Sequence, residues 1–343
     1  MPYSRRFVPV MTAAAVFLIA LFSPNARAQD EPLFEQLVGR IKSKPFNIGL
    51  LMQTVADFQP ERSQSGYNGF SIANFRLSFY GELDEGFSYF VQTNFVRSPS
   101  FLETRFTYSV APEFTVDAGV YKPPFSKEFL TSESAIDFVN RSQAVSQLSP
   151  GRQIGMQARG RLADKMVSYA VGMFNGNPFT SNINDNNDFI YLARLALFPP
   201  VPENQMIEIG ISAAHSNDAD VSVLGTGFSG KRLLLGADAR LTIDDFLLSG
   251  EVVRADLKQT AAATVKPFGY QATIGCMITS KSQLLGRWDF FRADGLAPDA
   301  HLIVLGYNLW PTKATELQVN YLVPTKNGNI RHHQLLVNAQ IAF

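Results

Sequence analysis

One cysteine, Cys276, stands among the 343 residues, so the chain cannot form an internal disulfide. After the first thirty residues no apolar run approaches the roughly 20 residues that a membrane-spanning helix requires. Charge of neither sign is in surplus, with 30 basic and 30 acidic residues, and this leaves no basic footprint for nucleic acid. Histidine is scarce: His215 and His301 stand alone, and His332 and His333 are adjacent. On a strand those two point to opposite faces and cannot share a metal ion. Neither a glycine-rich phosphate loop nor an HExxH or GxSxG motif occurs, so nothing implies a cofactor, a metal or an enzyme. A hydrolase would need a dispersed catalytic site.

The N-terminus carries the clearest local signal. Arg5 and Arg6 form a positive n-region, Val10 to Phe22 is an uncharged apolar core, and Ala26-Arg27-Ala28 is a small-x-small cleavage site. Together they predict a signal peptide over residues 1–28, with a mature chain starting near Gln29. The apolar core is too short for a transmembrane anchor. Loss of Arg5, Arg6 and Arg27 would leave a net charge of roughly −3.

Between Gln29 and Pro45, Leu33, Phe34, Leu37, Val38 and Ile41 recur at helical spacing, which predicts a short periplasmic segment over 29–45, either a helix or an ordered tail. From Phe46 onward the period is two. Phe75, Leu77, Phe79 and Leu83 make one face while Asn74, Arg76, Ser78 and Glu82 make the other. Phe87, Tyr89, Val91 and Phe95 alternate with Ser88, Gln92 and Asn94. Leu335, Val337, Ala339, Ile341 and the terminal Phe343 alternate with Gln334, Asn338 and Gln340. Cys276 shares its face with Tyr270, Ala272, Ile274 and Ile278 and reads as apolar filler.

Such a pattern suits either a soluble sandwich, apolar face inward, or a barrel in lipid, apolar face outward. The connections separate the two. Short ones (Leu83 to Gly86, Ala111 to Glu113, Ala163 to Lys165, Pro199 to Asn204, Asp244 to Asp245, Ser280 to Ser282, Pro311 to Lys313) alternate with mostly longer ones. The longer set is Asp57 to Gly69, Pro123 to Pro150, Gly176 to Asn186, Ser216 to Gly230, Asp256 to Lys266 and Pro324 to Ile330. Periplasmic turns and extracellular loops produce that parity, and a sandwich has no reason to. The chain therefore reads as all-β: a transmembrane antiparallel β-barrel over 46–343 of about 16 strands, in a bacterial outer membrane. Phe95, Phe101, Tyr121, Phe198, Phe246, Phe268, Phe291, Trp310 and Phe343 lie near strand ends, as interfacial girdles would.

The longest connection, 123–150, is the third long one. Folded inward it would narrow the wide lumen expected of a barrel this size, and Lys127, Glu128, Glu133 and Asp137 are its charged constriction candidates. Packed over the rim, or onto a neighbouring subunit, it would not. Arg76, Arg105, Arg159, Arg161, Arg194, Arg232, Arg240 and Arg287 fall on the polar face, and a file of guanidinium forks suits oxyanions. Glu82, Glu103, Asp117, Glu208, Asp238, Glu251, Asp289 and Glu316 share that face, so the arginines could instead be paired.

The segment Gly119-Val-Tyr-Lys-Pro-Pro-Phe-Ser-Lys-Glu128, then Thr131-Ser-Glu-Ser134 and Ile136-Asp-Phe-Val-Asn-Arg-Ser142, resembles the loop signature of the phosphate-selective porin O and P family. Arg152-Gln-Ile-Gly155 and Phe174-Asn-Gly176 extend the resemblance over Gly119 to Gly176, and the flanking strands agree in pattern only. The family implies a sixteen-stranded homotrimer whose third loop forms a constriction and whose basic residues draw anions through. By motif position Lys122 is then the constriction lysine, and Arg141 and Arg152 are loop anchors or anion contacts. The expected function is passive diffusion of small anions, phosphate leading, with outer-membrane lipid as partner. The alternatives are a non-selective general porin for small polar solutes and a plugged structural or adhesion barrel.

Overall fold

The structure, a computed structural model, describes residues 45–61, 68–96, 100–259, 263–325 and 330–343. The signal peptide expected at 1–28 lies outside the described residues, as does the 29–45 segment apart from Pro45.

Sixteen strands follow one another: β1 Asn47–Phe58, β2 Gly69–Glu82, β3 Phe87–Asn94, β4 Phe101–Ala111, β5 Phe114–Tyr121, β6 Gln153–Leu162, β7 Val167–Phe174 and β8 Ile190–Leu197. The second half is β9 Gln205–Val223, β10 Thr226–Ile243, β11 Phe246–Gln259, β12 Phe268–Thr279, β13 Ser282–Arg292, β14 Ala300–Thr312, β15 Thr315–Pro324 and β16 Gln334–Ala342. Each pairs antiparallel with its sequence neighbour, and β1 pairs with β16 to close the barrel. At that seam Leu50 and Phe343 exchange backbone hydrogen bonds of 2.9 and 3.1 Å. No strand edge is left, as hydrocarbon demands of any backbone that crosses it.

Burial runs opposite to that of a soluble protein. Asn74, Arg76 and Ser78 on β2 are buried, as are Glu208 and Ser212 on β9 and Gln318 and Asn320 on β15. Leu195, Ile209, Ile211, Leu233, Leu235, Ile274, Leu284 and Leu305 are exposed at alternate positions on the outer surface. Polar side chains thus line the lumen and apolar ones face lipid.

Short connections sit at one end and most long ones at the other, with one correction. Ser216 to Gly230 is a continuation of β9 and β10, closed by the two-residue turn Leu224-Gly225. Both turn residues have positive φ, 53° and 75°, the geometry that matches strand twist in a tight hairpin. Turn-prone Asn217, Asp218 and Asp220 suggest a loop in isolation. The strand wins because Val221, Val223 and Phe228 bury themselves in the largest apolar cluster. At 19 residues β9 far exceeds the roughly 9–11 needed to span, so the hairpin projects beyond the bilayer.

A second correction concerns the girdles. Phe95, Phe101, Phe246 and Phe343 are exposed on the outer surface, whereas Tyr121 and Phe291 are buried inside the barrel.

Ile211, 57 % exposed on β9, tests the inside-out assignment. Ile211→Arg should cost about 2–4 kcal/mol in equilibrium unfolding from phospholipid vesicles. A change within about 0.5 kcal/mol, as at an ordinary wet surface position, would contradict a lipid-facing role.

Candidate functional site

The connection from β5 to β6, residues 122–152, passes inside the barrel. It carries two short helices, α1 Lys127–Leu130 and α2 Gln143–Leu148. Ser126 starts α1, its Oγ accepting from the Phe129 N–H at 3.0 Å. Around the wall the loop is then tied strand by strand. The Ser126 N–H donates to Ser212 Oγ at 3.2 Å, Lys127 Nζ donates to Glu208 at 2.5 Å, and the Glu128 N–H donates to Glu251 at 2.9 Å. Arg240 donates to both oxygens of Asp137, at 2.7 and 3.1 Å. Asn308, Gln318 and Gln340 donate to the carbonyls of Asp137, Ile136 and Ser134, and Asn320 accepts from the Val139 N–H.

Two apolar seats reinforce these bonds. Phe125, Phe129, Ala144, Val145 and Leu148 share a buried cluster with Leu234, Val253, Ala255 and Phe291 of the wall. Phe138 shares another with Val304, Leu322 and Leu336. Phe125 is 0 % and Phe138 2 % exposed, each worth about 1.5–3 kcal/mol of burial. Phe138 lies against Gly306, where a Cβ would come within 2.9 Å of its ring, so a larger residue there would have to displace that ring.

Inside the loop Arg141 donates to Glu133 at 2.7 Å and to the carbonyls of Thr131 and Glu128 at 2.8 and 3.1 Å. Glu128 accepts from the N–H and hydroxyl of Ser142. Lys122 Nζ donates to the carbonyls of Phe129 and Thr131, at 2.6 and 3.0 Å. Burial, with Arg141 and Arg152 beside it, pulls the Lys122 ammonium down to about 7. Glu133 is held below the usual carboxylate range: burial opposes this, but Arg141, Arg76 and Lys122 outweigh it.

The lumen arginines are not an open file of charge. Arg194 sits against Asp238 at 2.5 Å with Glu208 at 3.5 Å, Arg232 against Asp218 at 2.8 Å, and Arg159 against Asp117 at 2.6 Å. Arg287 lies 3.5 Å from Glu128 and 3.6 Å from Asp289, its guanidinium 4.5 Å from the Phe138 ring centroid. Arg76 is 3.6 Å from Glu133, and Arg105 is 3.5 Å from Glu103. Arg161 is exposed near the short-turn end, 5.9 Å from the Phe198 ring centroid. The lumen face thus brings together Arg76, Arg105, Lys122, Arg152 and Arg159 on one side of the loop, and Arg194, Arg240 and Arg287 in wall contacts on the other.

Space remains on the side away from the seats. One cavity of ≈ 470 Å³ is lined by Arg76, Glu103, Lys122, Glu133 and Arg152 among others. A second, of ≈ 610 Å³, includes Glu82, Arg105 and Arg159. Counting side chains alone, three cations face two acids in the first and two face one in the second; the terminal carboxylate of Phe343, which also lines the first, brings that cavity to balance. Among the described residues no group of His, Cys, Asp and Glu is placed to hold a metal.

Two lumen aromatics that lie outside the loop seats stand apart from the polar parity. Tyr80 and Phe90 occupy inward positions of β2 and β3 and line both cavities. Their signal in the sequence is an aromatic at polar parity: Tyr80 in register with Arg76 and Ser78, Phe90 with Ser88 and Gln92.

A family model described as phosphate-selective porin O and P matches residues 46–281. No curated protein matches the chain by sequence. Among solved structures, an anion-selective porin from Comamonas acidovorans superposes with a TM-score of 0.66 at 14% identity, covering 87% of this chain and 99% of that one. The trimer form of OmpT, an outer-membrane protein of Vibrio cholerae, gives 0.62 at 12%, covering 87% and 99%. The outer-membrane channel DcaP of Acinetobacter baumannii gives 0.57 at 11%, covering 87% and 97%. At these identities the likeness is one of fold.

Arg141 holds three acceptors of its own loop, so Arg141→Ala should loosen the segment without touching the wall. Larger and noisier single-channel conductance in a planar bilayer is expected. Conductance and noise equal to the parent would show that Arg141 does not set the loop's shape.

Proposed function

Because the chain belongs to the phosphate-selective porin O and P family, a family of outer-membrane channels, we propose that it passes small anions through the gap between its inward loop and the wall of β2 to β6. The observation that carries this reading is the set of cationic side chains lining the two cavities there, Arg76, Lys122 and Arg152 in one and Arg105 and Arg159 in the other, beside a loop tied to the opposite wall. An anion entering would exchange part of its hydration for Arg76, Lys122 and Arg152, then for Arg105 and Arg159, held weakly enough to leave again. The anion selectivity stated for the Comamonas porin supports the same direction. Residues 123–150 then act as the constriction, and three such barrels associate as a homotrimer in outer-membrane lipid, in line with the OmpT trimer.

Pairing of the arginines with acids favours a modest preference over a dedicated phosphate site. Phosphate is the first inorganic anion to test. A general porin with little selectivity is the second reading, and the acid partners of Arg105 and Arg159 are what favour it.

Reversal potentials under a potassium chloride gradient decide between them. Chloride should be preferred to potassium, and Lys122→Glu, which exchanges one of the three cations of the 470 Å³ cavity for an acid, should reverse that preference. An unchanged reversal potential would remove Lys122 from the pathway. Because the Lys122 ammonium is lost as pH rises through about 7, the preference should be strongest at pH 6. By pH 8.5 it should be reduced by about half, with one of that cavity's three cations neutralised. The same drop in Lys122→Met would assign the pH dependence to another group.

A further inference from the structure

Side chains that line a water-filled barrel are expected to be polar, and most here are. The buried lumen aromatics have a mechanical reason: Phe125, Phe138 and Phe174 fill the clusters that seat the loop or close the wall behind it. Tyr80 and Phe90 belong to neither cluster and keep part of their surface open. They are direct cross-strand partners, with ring centroids 6.2 Å apart. The row continues sideways to Arg105, the partner of Phe90 on β4, whose guanidinium lies 5.7 Å from the Phe90 centroid and 6.0 Å from that of Tyr121. Beyond Arg105 the next partner is Gly119, which adds no side chain to the lumen.

These two rings line both cavities, so a solute moving from the loop side to the short-turn side passes across their faces. For an inorganic anion that contact is unfavourable, since an aromatic face carries the negative end of its quadrupole. An anion with a planar apolar body gains there instead, by stacking, while its carboxylate meets the guanidinium fork of Arg105. Volumes of ≈ 470 and ≈ 610 Å³ fall within the range of about 300–1,000 Å³ typical of small-molecule sites.

We propose that the Tyr80–Phe90–Arg105 row is a binding step for aromatic monocarboxylates, which the channel takes in preference to phosphate and to short aliphatic acids. The inference rests on the anion-channel reading and deepens it by naming the solute class.

Block of chloride current by benzoate, acetate and phosphate, in the reconstituted full-length protein, tests it. Benzoate should half-block at a concentration about tenfold below acetate and below phosphate, the upper end of what one aromatic contact contributes. In Phe90→Ala the benzoate advantage over acetate should shrink to about twofold or less, and Phe90→Tyr should restore it. Parent protein that prefers chloride over potassium but responds equally to benzoate and acetate overturns the inference and leaves the anion channel standing. A benzoate advantage undiminished in Phe90→Ala overturns it as well. A channel without any chloride preference overturns the reading of the preceding subsection and this one together.

Discussion

A backbone that crosses hydrocarbon must satisfy every peptide group from within, and closure of β1 on β16 is where this chain meets that demand. The even strand number follows, because an antiparallel sheet can close on itself antiparallel only with ends that match. So does the inversion of burial, with polar parity inward and apolar parity outward on strand after strand. The seam pairs Leu51–Phe58 with Leu335–Ala342, and Phe343 extends it, bonded to Leu50 at both its N–H and its carbonyl.

Closure by itself would leave a wide aqueous hole. The β5–β6 loop, residues 122–152, packs inside it against inward-facing side chains, and the wall is divided to receive it. From β9 to β16 inward positions alternate between polar anchors such as Glu208, Glu251 and Asn320 and apolar seats such as Leu234, Val253 and Val304. Gly306 makes room for Phe138, and Gly269 faces Ala144 with no space for a side chain. Around β2 to β6 the inward positions carry Arg76, Tyr80, Phe90, Arg105 and Arg159 instead, and there the lumen stays open.

Pairing of charge follows from the same crowding. An unpartnered guanidinium or carboxylate in a partly dry lumen is costly, so Arg194 with Asp238 and Arg232 with Asp218 neutralise each other at the wall. What remains along the open side are Arg76, Lys122, Arg152, Arg105 and Arg159, and in the reading proposed above these lean the passage toward anions without a dedicated cage. In that reading selectivity also depends on contacts besides charge, and the ring faces of Tyr80 and Phe90 offer one.

The barrel, its strand number, the closing strand and the family were legible in the sequence, because period-two alternation and connection parity are local and recur along the chain. Errors arose where a local signal met a tertiary one. Polar Asn217 and Asp218 read as loop, yet pairing of β9 with β10 and burial of Val221 and Phe228 extend the strands. Tyr121 and Phe291 read as girdle aromatics from their place near strand ends, yet both point inward to pack beside the loop. Tyr80 and Phe90 carried a signal, an aromatic at polar parity, but alternation alone does not tell an open ring from a seat. Sequence determined which side chains face the lumen, since the strand period leaves each only two directions. Which arginine meets which acid, where the loop settles and which part of the lumen stays open were decided only in the closed barrel. The loop's contacts with the wall join distant residues, such as Lys127 with Glu208, 81 positions apart, and Gln318 with Ile136, 182 apart, and no local pattern encodes them.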